Sequence, residues 1–149
     1  MAGASEFISI DVDDKQMQQV FGRLQQAGQN MDPVFADIGE YLLESTKQRF
    51  VDQVDPDGLP WQPLSDNSHK EKNADKILLE HGGLLDSLHY TSDAQQVEFG
   101  TNLIYGATHQ FGDDARNIPA RAFLGISVED ELIILDLAEA FLLEHLAPV

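Results

Sequence analysis

The sequence predicts an α+β fold: helices packed on a small curved antiparallel sheet, with a long irregular loop at about 54–75 and a C-terminal helix. Three observations carry this. Apolar residues recur at helical spacing near 17–27, 35–50 and 132–146. Short alternating stretches, FISIDV at 7–12 and LHYTS and QQVEFGT at 88–101, have the period of strands. Strands and helices are grouped rather than alternating, which argues against repeated βαβ units.

The elements follow in order. FISIDV reads as a strand, and Asp13 and Asp14 are N-cap candidates for the helix after it. Met17, Val20, Phe21, Leu24 and Ala27 form one apolar stripe, and Gly28 ends the helix. Asp32-Pro33 predicts a second helix, with a capping aspartate and proline at the first helical position, running to about 50–53. Phe35, Ile38, Leu42 and Phe50 give its buried side, and Lys47 and Arg49 complement the dipole of its last turns. The loop at 54–75 carries Lys70 and Lys72, which with Lys76 just beyond it form a mildly basic patch. ILLEHGGLLDSL follows as two apolar runs broken by Gly82-Gly83. LHYTS and QQVEFGT pair as a hairpin around Asp93-Ala94. Residues 103–112 form a short helix stopped by Gly112, and 118–127 an extended segment. Ser127 with Asp130 resembles a capping box opening a helix over 128–146. That helix has an apolar face broad enough for burial on two sides.

The chain has 149 residues and is read as a single domain over 1–149, with residues 1–6 set apart as disordered or a cloning remnant. Without cysteine it can form neither disulfides nor a thiolate metal site. The acidic start lacks the features of a signal peptide, and no apolar run approaches the length of a membrane span. Charge is the dominant feature: nine Lys and Arg against 26 Asp and Glu, a net −17. Binding to phosphate needs clustered cations, and here no two are adjacent. Sequence-specific nucleic-acid binding and binding to a membrane are therefore not expected. The acidity either keeps the protein soluble or keeps it from sticking to a nearby polyanion.

The candidate chemistries are weak. Taking Gly58 as the sixth position of a calcium loop puts Gln53 at position 1 and Leu64 at position 12, where a bidentate Glu is needed. DPDG reads better as a type I turn, with Trp61 plugging an apolar surface to anchor a proline-stiffened loop. The five histidines lack metal-ligand spacing. No nucleophile or phosphate-loop motif is present, so no catalytic residue, metal or cofactor is assigned, and the chain is read as a non-enzyme.

Three ordered segments carry a family resemblance: FxxQxxPDGxPWxPLS (50–65), IYGATHQFG (104–112) and IPARAFLGIS (118–127), with ILLEHGGLLDSL and FGTN between them. Together they resemble the phage virion morphogenesis family, the tail completion proteins of Mu-like phages and prophages, over roughly 14–145. Two departures stand out. Gly106 stands where such proteins often carry alanine, and Ala122 where they often carry proline. The resemblance implies a structural protein acting in tail completion or head–tail joining. It would form rings at the neck or tail end, with itself and other neck or tail proteins as partners, in the host cytoplasm during assembly and then in the virion. Trp61, Leu64, Phe111, Arg121 and Phe123 are the candidates for a subunit or neighbour interface, with Arg121 expected to pair with a carboxylate. Pro56, Gly58, Tyr105, His109, Gln110, Gly112 and Pro119 are the structural frame of the motifs. The alternatives are an acidic binding module that mimics DNA and, behind it, a small hydrolase.

Overall fold

The computed structural model describes residues 6–7, 15–63 and 83–145. Their order is β1 (Glu6–Phe7), α1 (Lys15–Gln26), α2 (Asp32–Asp52), α3 (Gly83–Ser87), β2 (His89–Ser92), β3 (Val97–Thr101), α4 (Ile104–Phe111), a 3-10 turn (Asp114–Arg116) and α5 (Val128–His145). The sheet is antiparallel with order β1-β3-β2, and β2 and β3 pair as a hairpin with His89 opposite Gly100 and Ser92 opposite Val97. The fold is α+β, as the grouping of elements predicts.

α2 is the central element, packing against both the hairpin and α5, while α1 packs on α5. Among the described residues two hydrophobic cores result. The first joins Met17, Val20 and Leu24 of α1, Val34, Ile38 and Leu42 of α2, and Ile134, Leu135, Ala138, Phe141 and Leu142 of α5. The second joins Phe50, Trp61, Leu84, Leu88, Phe123 and Leu124. Phe99 of β3 packs against both.

α1 ends as its glycine predicts. Gly28 takes φ +69°, and the Gln29 N–H reaches back to the Leu24 carbonyl at 3.2 Å, closing a Schellman turn. The start of α2 differs from expectation. Met31 occupies the cap position, and Asp32 and Pro33 are already helical. The capping oxygen comes from Asn30, whose Oδ1 accepts the Asp32 N–H at 3.1 Å. The Asp32 carboxylate instead accepts the Ser92 hydroxyl at 2.7 Å and ties α2 to the end of β2. Val34 rather than Phe35 is fully buried, and Phe35 stacks on Phe21 with centroids 5.5 Å apart. On α5, Leu135, Ala138 and Leu142 of the apolar 132–146 stretch are buried, but Leu132 and Leu143 are exposed. Most of the predicted 7–12 strand, Asp13, Asp14, Leu64, the lysines at 70, 72 and 76, and Leu146 lie outside the described residues.

Two helical glycines separate backbone propensity from packing. A Cβ on Gly39 would lie 2.4 Å from the Tyr90 ring, whereas one on Gly22 would meet nothing within 4 Å. Gly22→Ala should stabilise by about 0.5–1 kcal/mol through helix propensity, raising the melting temperature by roughly 2–4 °C. Gly39→Ala should lower it, because the gain is overridden by displacing β2 from α2. Thermal unfolding followed by circular dichroism reads both.

Candidate functional site

Segment 118–127 has no regular secondary structure, yet Arg121, Phe123 and Leu124 are buried. Buried backbone groups must find partners, and a segment outside any sheet must find them elsewhere. Here side chains supply most of them. Trp61 Nε1 donates to the Ala122 carbonyl at 2.8 Å. Arg49 Nη1 donates to the carbonyls of Phe123 and Gly125, both at 3.0 Å. Gln110 Nε2 donates to the Leu124 carbonyl at 2.9 Å, while its Oε1 accepts the N–H of Phe123 at 3.0 Å and of Leu124 at 2.9 Å. The Gln110 amide thus stands in for a strand neighbour. The Arg121 N–H is taken by the His109 carbonyl at 2.6 Å.

The DPDG turn forms as predicted, with the Gly58 N–H on the Asp55 carbonyl at 2.9 Å and Gly58 at φ +85°. Asp55 Oδ1 accepts the N–H groups of Asp57 and Leu59, so this carboxylate organises the turn. Val54 and Pro60 face each other in an antiparallel bridge, and the Trp61 N–H returns to the Gln53 carbonyl at 2.9 Å. The loop then closes on 118–127. Pro56 sits 2.6 Å from where a Cβ on Gly125 would be, so Gly125 admits it. Trp61 is 5% exposed and meets Phe50 edge to face at 5.4 Å.

Arg121 is buried with its Nε on the Gln62 carbonyl at 2.8 Å and Nη2 on the Pro63 carbonyl at 3.2 Å. Burial lowers its pKa. The expected carboxylate partner is not found among the described residues. Arg121 works as a five-donor fork that holds the loop's outgoing backbone. The buried ion pair is instead Arg49–Asp130. Asp130 accepts from Arg49, from the hydroxyls of Tyr41 and Ser45 at 2.7 Å each, and from the Ser127 N–H at 3.0 Å. Ser127 Oγ accepts the Asp130 N–H at 2.9 Å, completing the predicted capping box. Burial works to raise the Asp130 pKa, but the Ser127 N–H, the two hydroxyls and the Arg49 charge outweigh it and hold it below the usual carboxylate range. Burial, together with the hydrogen bond to Asp130, pushes Tyr41 up to about 12.

Of the five interface candidates, Trp61, Phe123 and Arg121 are internal, Leu64 lies outside the described residues, and Phe111 is 68% exposed. Phe111 sits between two fixed neighbours. Gln110 is pinned as described. Gly112, at φ +77°, passes so close to 118–120 that a Cβ would meet the Ala120 nitrogen at 2.8 Å. Tyr105 is half-exposed and meets His109 edge to face at 5.9 Å, and its hydroxyl lies 2.8 Å from where a Cβ on Gly83 would be. Of the two departures from the motif, Gly106 has a local reason and Ala122 has none in the structure. A Cβ on Gly106 would lie 2.6 Å from Thr101 Cγ2. Ala122 contributes its carbonyl, which proline would also offer. Sequence reasoning missed Arg49. Its only signal is its spacing, one turn beyond Ser45 and two beyond Tyr41. No group of His, Asp or Glu among the described residues is arranged to hold a metal ion, and none of the described helices is long and apolar enough to cross a membrane.

A family model described as the phage virion morphogenesis family matches residues 12–143. An uncharacterized protein of Methanocaldococcus jannaschii is 38% identical over 74 residues, 44% of this chain and 55% of that protein. The chain thus spans about half the length of that curated relative. No solved structure matches.

Two variants test the frame. Asp130→Asn leaves Arg49 buried without its counter-charge and should cost on the order of 3–5 kcal/mol, whereas Asp113→Asn, in an exposed pair with Arg116, should leave the urea midpoint unmoved. Gln110→Leu orphans two buried N–H groups and a carbonyl and should cost at least about 1–3 kcal/mol. The pH dependence has two arms. Asp130 has a lowered folded pKa, so its contribution is present above about 4 and is lost as pH falls through the folded value. Tyr41 has a raised one, so its contribution is present below about 10 and is lost as pH rises towards about 12. Tyr41→Phe should flatten the alkaline arm of a midpoint-against-pH curve.

Proposed function

The chain belongs to the phage virion morphogenesis family, and from that premise we propose that it acts in tail completion or head–tail joining, as a ring-forming subunit at the neck or tail end. Membership gives it a part in phage assembly and favours a structural over a catalytic role. The observation that carries the finer reading is Phe111. A large aromatic side chain is held out to solvent between two motif residues that the fold immobilises, and such preorganised aromatics are favoured at the centres of interfaces. The acidity fits the same place, because a surface of net −17 beside a DNA channel lets the polyanion pass without sticking. The loop around Trp61 serves this role indirectly, by fixing the 118–127 segment against which α4 is set.

Deleting the gene in an inducible lysogen should yield free heads beside unjoined tails in negative-stain electron micrographs of the lysate. Complementation with Phe111→Asp should fail although the purified variant keeps the wild-type melting temperature. Trp61→Ala cannot make this distinction, since emptying its site should cost about 3–5 kcal/mol. Normal infectious particles from the deletion overturn the proposal and favour an acidic module that mimics DNA.

A further inference from the structure

α1 departs from the charge of the chain. In a protein with 26 Asp and Glu, Lys15–Gln26 contains none and carries five glutamines, Lys15 and Arg23. Met17, Val20 and Leu24 face inwards, so both cations and most of the glutamines are exposed. With Gly22 they line a furrow of about 530 Å³, and no atom lies within 4 Å of a Cβ position on that glycine, so a partner's side chains can approach the backbone. Neither Lys15 nor Arg23 pairs with a carboxylate among the described residues.

A surface of opposite charge lies along the C-terminal half of α2. A groove of about 650 Å³ runs between the C-terminal half of α2, the DPDG turn and the start of α5. Besides the internally neutralised Arg49–Asp130 pair, its charged lining is Glu44, Asp52, Asp55, Asp57 and Glu129, and no Lys or Arg among the described residues pairs with any of these five. Val128, 76% exposed, adds an apolar rim. α1 leads directly into the start of α2, and the groove sits where α2 ends. α1 packs on α5 and stacks Phe21 on Phe35, whereas the groove is lined by α2 from Tyr41 onwards, so the cationic, amide-rich face and the anionic groove share no residue.

We propose that the α1 face of one copy docks into the acidic groove of a second copy of this chain. The two surfaces are different and share no residue, so the contact is head-to-tail and propagates into a ring or an open filament. Lys15 and Arg23 meet the groove carboxylates, and the glutamines supply donors to the remaining oxygens. The proposal rests on the ring-subunit reading and specifies which surfaces join.

The test is reciprocal charge reversal followed by sedimentation velocity. One chain carries Lys15→Glu with Arg23→Glu, and another carries Asp52→Lys with Glu129→Lys. All four positions are exposed, so unchanged circular dichroism spectra are expected. The wild type should self-associate at about 50 mM salt and dissociate at about 500 mM, as screening shortens the reach of the charges. Each reversed chain alone should sediment as a monomer, with association weakened at least about tenfold, and an equimolar mixture should reassemble because each reversed surface finds its opposite. Reversed chains that assemble like the wild type overturn this contact and leave the ring reading standing. A wild-type chain that stays monomeric throughout overturns self-docking, and the deletion phenotype then judges the neck or tail-end role by itself.

Discussion

A buried stretch of backbone without a strand partner is the constraint around which this structure is arranged. Residues 122–125 place four consecutive carbonyls inside or at the edge of the second core, and every one is met by a side chain from elsewhere. An unmet group there would cost as much as several good contacts provide. The identities of Trp61, Arg49 and Gln110 follow from that requirement. Each combines a body that packs with N–H groups that reach. Replacing any of them by an apolar residue of similar size keeps the volume and loses the donor.

Arg49 links this hub to the helices. Its two terminal nitrogens serve different masters: one holds the carbonyls of 123 and 125, and the other holds Asp130 at the start of α5. Buried ion pairs rarely exceed apolar packing in net stability, since desolvation consumes most of the attraction. What this one supplies is register. α5 can slide along α2 only by breaking the Arg49, Tyr41 and Ser45 contacts to Asp130 together, so the broad apolar face of α5 is held to one of several rotations and offsets it could adopt. Asp130 also caps its own helix. Cap, ion pair and register are a single object.

Those layers were unequally legible in the sequence. The α+β class, the stripes of α1 and α5, the β2–β3 hairpin, the DPDG turn, the stop at Gly112 and the Ser127–Asp130 box all rest on residues close together in the chain, where spacing maps onto geometry. Arg49 was misread as a partner of the helix dipole because a cation in a last turn looks the same whether it points to water or inwards. Its burial is decided by residues more than 70 positions away. Arg121 was expected to find a carboxylate. Its true partners are carbonyls, which every residue carries and which leave no trace in composition. Asp32 lost the cap to Asn30 because its side chain is claimed by Ser92, 60 positions later. In each case local chemistry was read correctly and a remote competitor won.

The remoteness has a kinetic consequence. α1 and α2 can form as soon as they are made, and their shared apolar stripe gives them something to bury at once. The second core cannot. Phe50 and Trp61 wait for Phe123, and the charged head of Arg49 waits 81 residues for Asp130. Until then a helix carries an unpaired cation beside an open apolar socket, and closing loops of that length is entropically slow. A nascent chain paused before residue 130 would therefore carry Arg49 without its counter-charge, and α1 and α2 without the α5 residues, Ile134 to Leu142, that complete the first core.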